Sequence, residues 1–88
     1  MTSIQTPQQL GEALRTARKQ LSLTQPQLAL AAGVGVRFVV ELEAGKPSVR
    51  LEQLLRVIAA LGGEFNLNGL PTALADVEAK REGPGDGA

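Results

Sequence analysis

Histidine, cysteine, tryptophan and tyrosine are all absent from this 88-residue chain, and Phe38 and Phe65 are its only aromatic residues. Without cysteine there is no disulfide and no thiolate nucleophile. Without histidine the commonest general acid–base group is missing, and so is the usual ligand of zinc and iron sites. Two aromatics are too few for a platform on which single-stranded nucleic acid stacks. The carboxylates are scattered over helical segments, and no glycine-rich phosphate loop is present. The sequence therefore predicts a protein that is not an enzyme and holds neither metal nor cofactor. Long apolar runs are lacking too. None approaches the roughly 18 residues of a membrane span, and the N-terminus has no basic stretch leading into an apolar one. The expectation is a soluble, cytoplasmic protein with no membrane partner.

Hydrophobic residues make up 43% of the chain and charged residues 20%, a globular balance. A chain of this length buries only about 60–65% of its unfolded surface, so an oligomer is expected. The net charge of zero conceals an asymmetry. Residues 1–63 hold seven basic side chains against four acidic ones, and residues 64–88 hold two against five. A basic body suits an anionic partner, and the acidic end suits a different role.

Punctuation divides the chain into elements. Thr6-Pro7-Gln8-Gln9 is a helix start, with Thr6 as cap and Pro7 in the first helical position. Leu10, Leu14, Ala17 and Leu21 mark the apolar stripe of this first helix. Thr24-Gln25-Pro26-Gln27 repeats the pattern and opens a short second helix with Leu28, Ala29 and Ala32, stopped by Gly33. A third helix spans 36–44, with Val39 and Leu42 inward and Gly45 as a left-handed terminator. Ser48 is the predicted cap of a fourth, whose stripe is Leu51, Leu54, Leu55, Ile58 and Leu61 and whose end is Gly62-Gly63. Beyond it the period falls to two. Glu64-Phe65-Asn66-Leu67-Asn68 alternates polar with apolar, as a half-buried strand does. A short acidic helix is expected over 72–82, and a disordered tail over 83–88.

The informative stretch is 25–42. Two short helices around a glycine, with small and apolar residues at fixed offsets, make a helix-turn-helix. Ala29 must be small where the second and third helices cross closely, and Gly33 takes up the positive φ of the turn. Val34, Val39 and Leu42 plug the pair onto the first and fourth helices. The fold class predicted is all-α, with four to five helices.

Leu23-Thr24-Gln25, Leu28-Ala29, Ala32-Gly33-Val34 and Leu42-Glu43-Ala44-Gly45-Lys46-Pro47, followed by the apolar helix 51–61, resemble the Xre family of lambda-repressor-like helix-turn-helix domains. The resemblance covers residues 8–62. Within that family, the run 33–47 is similar to the HipB-type antitoxins. These repress their own toxin–antitoxin operons and bind a HipA-type serine/threonine kinase toxin. The resemblance thus implies double-stranded operator DNA, a homodimer and a kinase toxin as partners.

The third helix is then the one that enters the major groove. Arg37 suits bidentate readout of guanine O6 and N7, and Val36, Phe38 and Val40 suit contact with thymine methyls. For Phe38 the other reading is partial packing on the domain. Glu41 either accepts from cytosine N4 or pairs with a neighbouring cation. The family more often carries polar residues at these positions, and a polar cap where Gly35 stands. By the same resemblance Gln25 meets a phosphate at the N-terminus of the second helix, which the positive helix end favours. Lys46, Ser48 and Arg50 meet the backbone from the loop after the third helix. Arg18 and Glu43 match positions of an internal ion pair, which assigns Arg18 to architecture.

A lone five-residue strand forms no sheet. Its partner is either the same strand of a two-fold mate, with Phe65 and Leu67 at the interface, or it folds back on the fourth helix. The resemblance favours the pair between two chains. The chain divides on this reading into a DNA-binding domain (1–63), a dimerisation strand (64–70) and an acidic helix with tail (71–88). Two other functions are open to the same sequence. One is a free-standing regulator with no toxin. The other is a protein–protein adaptor that has kept the fold and lost DNA binding, to which the apolar outer face of the third helix is suited.

Overall fold

Local chemistry sets the boundaries of four helices in the computed structural model, which describes residues 3–67 and Gly69. They are α1 (Pro7–Gln20), α2 (Gln25–Ala32), α3 (Val36–Glu43) and α4 (Leu51–Ala60). Thr6 opens α1 by accepting from the Gln9 backbone N–H at 3.1 Å. The Gln9 side chain reaches one residue further back and accepts from the N–H of Gln5. At α2 the box is reciprocal: Gln27 N–H donates to the Thr24 hydroxyl at 3.1 Å, and Thr24 N–H donates to Gln27 Oε1 at 2.8 Å. Proline stands in the first turn of both helices, where its missing N–H costs no bond.

All four helices end alike. The N–H of Leu23, Val34, Lys46 and Gly63 each reaches back five residues, to the carbonyls of Arg18, Ala29, Glu41 and Ile58. That closure needs one left-handed residue, which is Gly33 (φ +73°), Gly45 (φ +87°) or Gly62 (φ +79°) after the last three helices. After α1 it is Ser22, at φ +59°.

The core consists of Leu14, Leu28, Ala29, Ala32, Val39, Leu42, Leu54 and Val57. It lies where α2 meets both α3 and α4 and where α1 meets α3. On α1 the buried stripe is Gly11, Leu14 and Arg18, whereas Leu21 caps the helix and is exposed. Gly11 is there because α1 runs onto the C-terminus of α3: a Cβ at this position would stand 2.6 Å from the Leu42 carbonyl oxygen and 2.7 Å from that of Glu43.

Three expectations need correction. The stripe of α4 turns on Leu54 and Val57, with Ile58 and Leu61 partly covered; Leu51 and Leu55 lie to one side and stay exposed. Ser48 does not cap α4. The loop runs on to Arg50, which makes no side-chain cap bond, and Val49 within it packs against the core. Residues 64–67 carry no strand, because a ladder needs a second strand and the described residues of one chain hold none. Asn68 and the expected helix and tail over 72–88 lie outside the described residues.

Candidate nucleic-acid interface

The turn between α2 and α3 is three residues long, from Gly33 to Gly35. Leu28 and Ala29 from α2 and Val39 and Leu42 from α3 are buried, with the small Ala29 at the crossing. Val34 packs against the same core, and Arg56 of α4 donates to the Gly33 carbonyl oxygen at 3.5 Å. Arg56 also pairs with Glu52 one turn away, at 3.2 Å. The two short helices are therefore seated on the rest of the domain and do not depend on their own marginal propensity.

With Val39 and Leu42 inward, α3 presents Val36, Arg37 and Val40 to solvent. The Arg37 side chain is 88% exposed. Phe38 is half-buried and leans on the core, the packing alternative of the two open to it. A cleft of about 400 Å³ between α3 and the following loop brings Phe38, Glu41, Lys46, Ser48 and Arg50 together. Glu41 pairs with Lys46 at 3.1 Å, and its second oxygen stands 3.9 Å from Arg37 Nε.

Behind this face lies a buried network. Arg18 grips Glu43 with two parallel bonds, Nε to Oε2 at 2.7 Å and Nη2 to Oε1 at 3.0 Å, and gives Nη1 to the Leu23 carbonyl oxygen at 2.8 Å. The Gln25 amide donates to Glu43 Oε1 at 3.0 Å. One carboxylate thus ties the end of α3 to α1 and to the start of α2. The bonds to Glu43 raise the Arg18 guanidinium above its ordinary value against the opposing effect of burial. For Glu43 burial pushes the carboxyl up, but the bonds from Arg18 and Gln25 and the nearby charges outweigh it and hold it below the usual range.

Residues 14–67 match the family described as Helix-turn-helix (HTH_3). The chain belongs to this family, in its Xre-like form. An HTH-type transcriptional regulator of Sinorhizobium fredii, y4mF, is 48% identical over 64 residues, which is 73% of this chain and 84% of that protein. A second HTH-type transcriptional regulator, from Haemophilus influenzae, is 39% identical over 58 residues, 66% of this chain and 59% of its own. Among solved structures, HipB in the HipB-O4 20mer complex and in the HipA-HipB-O2-O3 complex superposes with a TM-score of 0.73 at 22% identity, over 81% of this chain and all of HipB. That likeness is one of fold.

Within this helix-turn-helix domain, most residues singled out from sequence gather on one side. Val36, Arg37, Val40 and Glu41 come from α3, and Lys46, Ser48 and Arg50 from the loop beside it. Gln25 is drawn toward Glu43, so the network that holds the fold also fixes a side chain expected at a phosphate. Phe65 and Leu67 follow α4 and are 54% and 62% exposed. Sequence reasoning missed the role of Arg56 at Gly33. Its spacing from Glu52 was readable as a helical pair, but its bond to the turn depends on how α4 packs.

Proposed function

We propose that this helix-turn-helix transcriptional regulator acts as a dimeric, sequence-specific repressor of the HipB antitoxin type, binding double-stranded operator DNA and a HipA-like kinase toxin. The observation that carries DNA binding is Arg37. It is an exposed guanidinium, 3.9 Å from Glu41, between two exposed valines on a short helix whose other side is locked into the core. Lys46, Ser48 and Arg50 beside it form a polar and basic shoulder suited to the phosphate backbone, with Gln25 at the N-terminal end of α2. Exposed Phe65 and Leu67 are the residues through which two copies pair, over a dimerisation segment at 64–70. The superposition on HipB, seen in complexes with an O4 20mer and with HipA, supports the antitoxin reading.

Selection of duplexes from a randomised pool, followed by gel shifts at rising salt, tests the DNA half. The expected result is a two-fold symmetric site with affinity falling steeply as salt rises. No binding at low salt would make the protein an adaptor. Co-expression with the kinase encoded by an adjoining reading frame tests the other half, with a stable co-purified complex expected. A chain that binds its site and ignores every such kinase is a free-standing regulator.

A further inference from the structure

Glu41 stands out on the DNA-facing side because its charge opposes the function of that surface. One of its oxygens is 3.1 Å from Lys46 Nζ and the other is 3.9 Å from Arg37 Nε. Lys46 is the proposed phosphate ligand and Arg37 the proposed base reader, so a single carboxylate engages both. The Glu41 and Lys46 side chains are 38% and 46% exposed, which leaves the pair open to exchange with DNA. Resting on the DNA-binding reading above, we propose that Glu41 is an electrostatic brake on this surface, holding Lys46 and lowering affinity for DNA of any sequence.

The argument is one of ion accounting. A free lysine that meets a phosphate displaces a condensed cation from DNA, and that release drives binding. Lys46 meets a phosphate by leaving Glu41 or by sharing its three N–H donors with it. In either case the carboxylate offsets one of the positive charges brought to the DNA, and the net release from this contact is small. Glu41 also lies beside a polyanion once the complex forms, and its repulsion is felt on any sequence. These costs fall on random and cognate duplexes alike, so the carboxylate lowers both affinities, and at moderate salt only a site that adds base contacts stays bound.

Glu41→Gln removes the charge and keeps the shape. On a random duplex of roughly 30 bp, long enough for two half-sites, the variant should bind about tenfold more tightly than wild type at low salt. Its log–log salt slope should be steeper by about one per subunit. On a duplex selected by the wild-type protein the gain should be similar. Glu41→Ala, which shares only the loss of charge, should reproduce the steeper slope. Lys46→Ala should shift the slope by about one in the Glu41→Gln background and hardly at all in wild type. Melting curves of each variant check that the fold is kept.

An unchanged slope and unchanged affinity for random DNA, with the selected site still bound by both proteins, would overturn the inference and leave the DNA-binding reading standing. Loss of affinity confined to the selected site would also overturn it, because Glu41 would then be accepting a hydrogen bond from a base. If neither protein binds any duplex at low salt, both readings fall.

Discussion

Arg18 and Glu43 are separated by 25 residues and joined by a two-point grip in a buried setting. Truncating one partner leaves the other charge buried and uncompensated, so Arg18→Ala should cost about 3 kcal/mol. That is a large share of the stability of so small a domain. Thermal melting should register it, while base preference in DNA selection stays as in wild type. An unchanged melt with a large loss of affinity would instead put Arg18 on the phosphates. The Glu43 carboxyl is held below its unfolded value, so its contribution is full above about pH 4.3 and is lost as pH falls through its lower native value. Arg18, raised above its ordinary value, stays charged throughout this range, so the loss follows the Glu43 carboxyl alone. The stability gap between wild type and Glu43→Gln should therefore be constant over roughly pH 6–8 and close in acid below about pH 4, as urea titrations across pH will register. Arg37 obeys different physics. It is exposed and holds no part of the core, so Arg37→Ala should leave melting unchanged, weaken the selected site by about 1–3 kcal/mol and relax preference at one base pair per half-site.

Among the elements, helix ends were more legible than helix faces. The Thr24–Gln27 box and the stops at Gly33, Gly45 and Gly62 could be read from sequence because both partners of each bond lie within five residues. Ser22 could not, since a serine carries no mark of the left-handed state it adopts after α1. Ser22→Gly should relieve that strain, about 1 kcal/mol before the added freedom of the unfolded chain takes part of it back. The expected result is a melting temperature a few degrees higher. Faces were harder because they depend on distant neighbours. Gly11 has the sequence signature of a mid-helix weakness worth about 1 kcal/mol against alanine. The α3 carbonyls 2.6 and 2.7 Å from its would-be Cβ reverse that sign. Gly11→Ala should destabilise by about 1–3 kcal/mol in denaturant titrations despite improving helix propensity. Likewise the apolar residues of α4 outnumber the places its neighbours cover, and only the packing against α2 decided that Val57 is enclosed while Leu51 and Leu55 are not.

For the molecule as a whole, the proposed dimer would cover the exposed apolar residues Phe65 and Leu67. In the proposed dimer the two α3 helices should lie about 34–36 Å apart, one turn of DNA, and footprints should show half-sites at that spacing. Replacing both Phe65 and Leu67 by serine should shift light scattering toward a monomer and uncouple the half-sites, while the melting of each domain stays close to wild type. A dimer that survives both substitutions would move the interface to another surface.

By itself the sequence determined the order of four helices, the caps of the first two and the glycine stops of the last three, and with them the helix-turn-helix unit around Gly33. These depend on hydrogen bonds that close within a few residues, so a local string is enough to specify them. The basic surplus of the first 63 residues was equally plain. Only the tertiary structure decided how the charges are spent. Glu43 is shared between Arg18 and Gln25, partners 25 and 18 residues away, and its neighbour in the same helix, Glu41, is turned outward onto Lys46 and Arg37. Two glutamates two residues apart on one helix lie on different faces. Which face is sealed and which meets a ligand is settled by what packs against the helix, and that information is spread along the whole chain.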